Sequence, residues 1–242
     1  MRKNITTIIV FLLSLPLAAQ QNYASISFGA SLPQGNYSNT GDLAQGGYAR
    51  TGGAIKFDAG YFPVNYFGIG ASFAFGSNYA ERDSLLIDMI RHIEENAESH
   101  IDIPEDAVIQ YGTGFWNNVN LFIGPLLSFR ATQIIYFDLR VLGGLSILRA
   151  PDQKLHIAFE DTEITSFVSN QKMAFGFTAG AGIRFKLSET LALRLAADYS
   201  HTRAHFDYDF ELFREAATGV PVINTKFPVQ TIEALIGLAY SF

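Results

Sequence analysis

The sequence predicts an all-β protein: an eight-stranded antiparallel up-and-down transmembrane β-barrel. Three observations predict it. A two-residue hydropathy period recurs along most of the chain, the connections alternate strictly between short and long, and the composition is apolar without a long apolar run. Of the 242 residues, 17% are charged, 14% are aromatic and 21 are glycine, and the mean hydropathy is +0.15. Membrane barrels have this mixture because only alternate residues of each strand meet lipid.

The first element is not a strand. Arg2 and Lys3 form a basic tip, an apolar run follows from Ile8 to Leu17, and "LAAQQ" comes next. This pattern is that of a secretory signal peptide over residues 1–19, cleaved after Ala19, leaving a barrel domain over 20–242. The run is shorter than the ~20 residues a spanning helix takes. There is no cysteine, so neither a disulfide framework nor a thiolate metal site is available. The formal charge is −6, and about −8 once Arg2 and Lys3 are removed (−6 minus 2). Nucleic acid, which needs a basic face, is excluded as a partner class.

The strands then follow in order. "ASISFGA" opens the series at Ala24. "AIKFDAGYF" sets Ile55, Phe57, Ala59 and Tyr61 against Lys56, Asp58 and Gly60. "FGIGASFAF" sets Phe67, Ile69, Phe73 and Phe75 against Gly68, Gly70 and Ser72. "NVNLFIGPLLSFR" sets Val119, Leu121 and Ile123 against Asn118, Asn120 and Arg130. "IYFDLRVLGGLSI" sets Phe137, Leu139 and Val141 against Tyr136, Asp138 and Arg140. "MAFGFTAGAGIRFK" alternates Phe175, Phe177 and Ile183 with glycines, Arg184 and Lys186. "LALRLAADYS" sets Leu193 and Leu195 against Arg194 and Asp198. The chain ends on "TIEALIGLAYSF", with Ile232, Ile236, Leu238, Tyr240 and Phe242 on one face and Glu233 on the other. Side chains alternate across a strand, so each run has one apolar and one small or polar face.

Three connections are tight, around Pro63–Asn65, Ala131–Gln133 and Leu187–Glu189. Four are long, at Ser31–Gly52, Ser77–Gly114, Arg149–Lys172 and His205–Lys226. Short periplasmic turns and long extracellular loops are the asymmetry of outer-membrane barrels. At each tight turn the apolar parity is odd on both sides, so an odd loop is needed to keep the faces matched. Three-residue loops would place Phe62 opposite Tyr66, Arg130 opposite Ile134 and Lys186 opposite Thr190. Gly70 then opposes Asp58, Gly124 opposes Arg140, and Gly182 opposes Arg194.

By parity the polar face carries Lys56, Asp58, Arg130, Asp138, Arg140, Arg184, Lys186, Arg194, Asp198 and Glu233. A soluble lipocalin-like barrel would turn these outward. The glycine and alanine on the same face suit a crowded lumen instead. The aromatics near strand ends (Tyr61, Tyr66, Phe67, Phe137, Tyr240, Phe242) suit an interface girdle. The ten charges are therefore expected to form a lumen network.

The signal peptide, the eight alternating strands and the "LIGLAYSF" ending resemble the small outer-membrane β-barrel proteins of Gram-negative bacteria, which include OmpA-like transmembrane domains and PorT-like proteins. The resemblance covers the whole mature chain and is architectural. It implies the bacterial outer membrane as location, with outer-membrane lipid and lipopolysaccharide as surroundings. It also implies the barrel-assembly machinery as a partner in biogenesis, reading a terminal signal at Leu238, Tyr240 and Phe242. It implies no single activity.

The second long loop contains "RDSLLIDMIRHIEENAESH". Leu86, Met89, Ile90, Ile93 and Ala97 fall at helical spacing, with Asp88, Glu94, Glu95 and Glu98 on an acidic face. This predicts a short amphipathic helix folded over the barrel mouth, or presented to an envelope protein partner. Ser200, His201 and Glu211 are the residue types used by lipid-A-modifying barrel enzymes, but neighbouring strand residues point to opposite faces. No catalytic residue, metal site or cofactor is expected. An eight-stranded barrel is just wide enough to fill with side chains. The expected function is an integral outer-membrane protein with a mostly closed, charge-filled lumen and contact loops, the alternative being a narrow porin-like pore.

Overall fold

The computed structural model describes residues 22–96, 108–159, 162–168, 170–208 and 223–242. The segment 1–19, expected to be a signal peptide, lies outside them. In chain order the elements are β1 (Tyr23–Pro33), a 3-10 turn (Gly35–Tyr37), β2 (Ala49–Tyr61), β3 (Phe67–Ala80), α1 (Arg82–Asn96), β4 (Val108–Thr113), β5 (Phe115–Arg130), β6 (Ile135–Arg149), β7 (Gln153–Phe159), β8 (Thr162–Val168), β9 (Gln171–Lys186), β10 (Leu191–Tyr208) and β11 (Ile223–Ser241). Eight of the strands close into an antiparallel barrel in the order β1-β11-β10-β9-β6-β5-β3-β2. The other three, β4, β7 and β8, form a separate sheet made by two of the long connections. That sheet was not legible beforehand, because its strands are short and lack a clean apolar face.

The tight turns preserve the expected parity but not the expected registers. Tyr61 pairs with Ile69, Arg130 with Tyr136 and Lys186 with Ala192. Each register therefore lies two residues on from the expected one. Ala131 N–H bonds the Ile135 carbonyl at 3.0 Å and Leu187 N–H that of Leu191 at 2.8 Å. The three-residue loops thus begin one residue later than the parity argument placed them. Thr132 Oγ1 accepts from Ile135 N–H at 3.1 Å and Ser188 Oγ from Leu191 N–H at 3.0 Å, which fixes the loops there. A slip of two conserves the faces, so parity alone could not detect it.

A walk through paired residues shows how the barrel closes. From Ser77 the path runs through Gly53, Ala30, Ala234, Ala197, Ala181, Leu139 and Leu127 and returns to β3 at Phe67, ten residues lower. With ~3.3 Å per residue and ~4.8 Å between strands, this stagger gives a tilt of about 41° and a backbone radius of about 8 Å. That radius leaves room for side chains and little else.

The faces are inverted relative to a soluble protein. Phe28, Ile69, Leu121, Ile123 and Phe175 are exposed, Phe175 at 80%, while Lys56 and Arg194 are 2% and 1% exposed. The charges are inside and the apolar side chains outside, which excludes the lipocalin arrangement. Leu235, the residue that breaks the terminal alternation, faces inward and packs with Ala54 and Ala196.

Candidate functional site: the barrel lumen

Eight of the ten charges expected in the lumen are buried together: Lys56, Asp58, Asp138, Arg140, Arg184, Arg194, Asp198 and Glu233. Four are cations and four are anions. Six form one chain. Lys56 Nζ lies 2.5 Å from Glu233 Oε2 and 2.9 Å from Asp198 Oδ2. Arg140 grips Asp198 with two donors, Nε at 2.9 Å and Nη2 at 2.5 Å, and places Nη1 2.7 Å from Asp58 Oδ1. Arg194 donates to the other Asp58 oxygen and lies 3.4 Å from Ser25 Oγ. The remaining pair is bidentate: Arg184 donates to both Asp138 oxygens at 2.8 and 2.9 Å, and to Ser128 Oγ at 2.8 Å. Forked geometry of this kind is what an arginine in low dielectric needs to offset its desolvation.

The network also settles why small residues share this face. Asp138 and Asp198 lie beside Gly182 and Gly180, Lys56 beside Ser27 and Ala74, and Arg194 beside Gly237. The expected pairings of Asp58 with Gly70, Arg140 with Gly124 and Arg194 with Gly182 do not occur, since Ser72 opposes Asp58, Leu126 opposes Arg140 and Ala196 opposes Gly182. Space is supplied across the other strand edges instead. Two like-charged pairs face each other directly, Asp198 with Glu233 and Arg184 with Arg194. Lys56 sits between the two carboxylates. Tyr23 receives both guanidinium groups, with Arg184 Cζ 4.0 Å and Arg194 Cζ 5.7 Å from its ring centroid.

Arg130 and Lys186 are not in the network. Arg130 is exposed at its turn and donates to the Thr132 and Gln133 carbonyls at 2.9 and 3.2 Å. Lys186 is half-buried, with Nζ 5.9 Å from the Tyr136 ring centroid. Both close a β-hairpin at a strand end, where the lumen opens to water, so parity without depth placed them wrongly.

Apolar plugs flank the charges. Towards the short turns, Tyr23, Phe62, Leu126, Ala192 and Ala239 pack together, and Asn22 Oδ1 accepts from Phe62 N–H at 2.8 Å. Above the charges comes a layer of hydroxyls and amides. Ser146 Oγ lies 2.7 Å from Asn120 Oδ1 and 2.9 Å from Thr202 Oγ1, and Ser31 Oγ 3.1 Å from Asn78 Oδ1. Over this layer sits a larger cluster that includes Tyr37, Tyr48, Leu85, Met89, Tyr111, Trp116, Phe206 and Phe227. Trp116 is at its centre, with ring centroids 5.4 Å from Tyr37, 5.2 Å from Phe206 and 5.8 Å from Phe227, and its Nε1–H donates to the Gly47 carbonyl at 2.7 Å. Sequence reasoning missed this lid, whose members come from the first two long connections and from the loop ends of β5, β10 and β11, and have no common period.

The amphipathic helix is present and seals the lid, through a face rotated from the expected one: Met89 is buried and Leu86 packs against the cluster as expected, but Leu85 joins them. Leu85 and Met89 point inward, and so does Asp88, which the helical wheel placed outside. Asp88 accepts from Tyr48 Oη at 2.6 Å and Gly41 N–H at 2.9 Å, so its charge is consumed in holding the first loop to the helix. Burial, and then the Asp88 hydrogen bond, push the Tyr48 hydroxyl well above the usual tyrosine range. The side chains of Ile93, Glu94 and Glu95, and residues Ala97 and Glu98, lie outside the described set.

The remaining candidates separate. Ser200 faces the lumen, 3.2 Å from Thr178 Oγ1, while His201 is on the outer wall and Glu211 is outside the described residues. Among the described residues no cluster of His, Asp or Glu has metal-binding geometry. Leu238, Tyr240 and Phe242 are all exposed on the outer wall, with the last two rings stacked at 6.5 Å.

Several solved structures are similar to this chain, and three of them illustrate the likeness. They are Neisserial surface protein A (10% identity, TM-score 0.40, covering 91% of this chain and 97% of that one), Ail of Yersinia pestis (14%, 0.40, 91% and 99%) and a major outer membrane protein from Thermus thermophilus (12%, 0.45, 91% and 99%). No curated protein matches. The family model for the outer membrane protein beta-barrel domain matches residues 7–242, and the chain belongs to that family.

Proposed function

We propose that this protein is a closed, non-conducting barrel of the bacterial outer membrane. Its role is structural or accessory rather than enzymatic, and its extracellular loops are the contact surface for an envelope partner. The observation that carries this reading is the neutral set of eight buried charges between two apolar plugs. A conducting lumen would need a continuous wet path. Here each charge is spent on another side chain, and Trp116 and Phe62 cap the two ends. In this reading the N-terminal segment exports the chain, and the assembly machinery recognises Leu238, Tyr240 and Phe242 during insertion. Planar-bilayer recordings of the purified protein test the closed lumen: little or no steady conductance is expected, and large stable channels would restore the porin-like reading. Copurification from outer membranes in mild detergent tests the loop partner.

A further inference from the structure

The face that β4 and β7 turn towards the lid carries buried oxygens without partners. Thr113 and Gln153 pair directly across the two strands, and Tyr111 stands on the same face two residues further from the barrel. Tyr111 and Gln153 are 4% and 5% exposed. Tyr111 Oη, Thr113 Oγ1 and Gln153 Oε1 are all buried, and among the described residues none has a hydrogen-bond partner. The Tyr111 and Thr113 hydroxyls are neighbours, but not in hydrogen-bond geometry. An oxygen that leaves water without gaining a partner favours any state in which it is wetted. Protein interiors leave few such atoms, and here three share one patch.

The helix α1 covers this patch, with Leu85 and Met89 packed in one cluster with Tyr111. Only Glu81 separates α1 from β3, and that residue is pinned. Its N–H donates to the Tyr48 carbonyl at 2.7 Å, and its carboxylate lies 2.6 Å from Arg50 Nε. The helix is thus fixed at its base. Two turns further on, Asp88 ties it to Tyr48 Oη and Gly41 N–H of the first long connection. Tyr48 is itself strained, with φ +52°, a left-handed backbone that a bulky aromatic residue rarely adopts. Its hydroxyl bond to Asp88 is one of the contacts that keep it there. The helix therefore rests between a latch on one side and unpaired oxygens on the other.

We propose that α1 is a hinged strap held shut by the Asp88 latch. It swings away about Glu81, breaks the Asp88 contacts with Tyr48 and Gly41, and uncovers Tyr111, Thr113 and Gln153 to water. The burial of Leu85 and Met89 and the two Asp88 hydrogen bonds hold the strap closed; the unpaired oxygens and the strained tyrosine push it open. The two sides are close enough in strength that the open form is reached without unfolding the barrel. Opening exposes a surface and not a pore, because the charge network and the Tyr23–Phe62 plug lie beneath and share no residue with the strap. The device goes beyond the closed-lumen reading and does not depend on it.

The test is thiol labelling of the folded, full-length mature protein in detergent micelles. Met89→Cys puts a thiol at a position 3% exposed in the closed form, with no background because the chain has no cysteine. Its reaction rate with a water-soluble maleimide reads the open population when reclosing is fast. Adding Tyr111→Phe, Thr113→Val and Gln153→Met keeps the shapes and removes the unpaired oxygens. Labelling should then slow at least about tenfold, the scale of one unpaired group. Adding Tyr48→Phe instead keeps the ring and removes the latch hydroxyl, and labelling should quicken about tenfold. Leu142→Cys, buried in the lumen at 1% exposure, should stay unlabelled throughout. The heat-dependent gel shift of each variant shows that it has folded. Unchanged or faster labelling in the apolar variant would overturn the proposal, since water would then already satisfy the three oxygens. So would an unchanged rate with Tyr48→Phe, which leaves no latch. Labelling of Leu142→Cys at the same rate as Met89→Cys would also overturn it, because the whole barrel and not the strap would be opening.

Discussion

Replacing Lys56 by methionine should destabilise the barrel more than its single charge suggests. Lys56 is 2% exposed, and its ammonium group is the cation that both Asp198 and Glu233 touch. Without it Asp198 keeps Arg140, but among the described residues Glu233 keeps no cation and directly faces the Asp198 carboxylate. Removing one partner of a buried ion pair typically costs about 3–5 kcal/mol, because the other charge is stranded. Lys56→Met is expected in that range. Glu233→Gln should cost about 1–3 kcal/mol, since Lys56 retains Asp198. The double variant Lys56→Met/Glu233→Gln removes one charge of each sign and should be more stable than Lys56→Met alone, a coupling of roughly 2–3 kcal/mol. Arg149→Ala, which breaks an exposed pair with Asp152, should cost less than about 1 kcal/mol. The assay is urea unfolding in phosphatidylcholine vesicles, followed by the fluorescence of Trp116, the single tryptophan. If Lys56→Met lies within about 1 kcal/mol of the native protein, or the double variant loses the full sum of the singles, the lumen charges are solvated by water rather than paired. A lumen wet enough to do that would not be closed.

Other consequences can be checked separately. Arg194→Ala strands Asp58 only in part, because Arg140 remains, so urea titration should show a smaller loss than for Lys56→Met. Deleting Phe242, or replacing Tyr240 and Phe242 with serine, should abolish the heat-dependent gel shift and lead to degradation in cells; normal amounts of shifting variant would refute a role in assembly. Single cysteines at 177, 179, 193 and 195 should react with a lipid-dissolved probe and resist a water-soluble maleimide, while those at 178 and 180 should ignore the lipid probe. Asp88→Ala removes the acceptor for Tyr48 and Gly41, so protease added to intact cells should cut the first or second long loop faster; an unchanged cleavage rate would mean the lid does not depend on that contact.

The wall was legible because every lipid-facing position repeats with period two, and a charge in the wrong phase would be expensive in hydrocarbon. Phe57, Phe73, Leu121 and Leu195 obey this with no need of tertiary information. Depth was not legible. Arg130 and Arg184 share a parity and a residue type, yet Arg184 is enclosed by Asp138, Ser128, Tyr23 and Tyr136, while Arg130 bonds the carbonyls of its own turn. The register puts both in one row through Tyr136, so their depths differ only through the tilt of the strands and because β5 ends at Arg130. The ion pairs were illegible for the same reason. Lys56 meets Glu233 across 177 positions of sequence only because β1 lies between their strands and the stagger brings them level.

Why the lumen is ionic at all has a physical answer. An apolar filling of the same volume would pack without any desolvation penalty, and buried pairs are often no better than well-packed hydrophobes. The chain, however, belongs to a family that reaches its membrane as strands. If positions 138, 140, 184, 194, 198 and 233 were leucine, uninterrupted apolar runs would extend over 135–145 in β6, 179–185 in β9, 191–199 in β10 and 232–240 in β11. Charge-free runs of β-prone apolar residues are aggregation hazards before folding. The alternation keeps a charge inside each of them until closing the barrel supplies its partner. The network is formed only when β2, β6, β9, β10 and β11 are all in place, so its pairing is a property of the closed barrel and of no smaller unit.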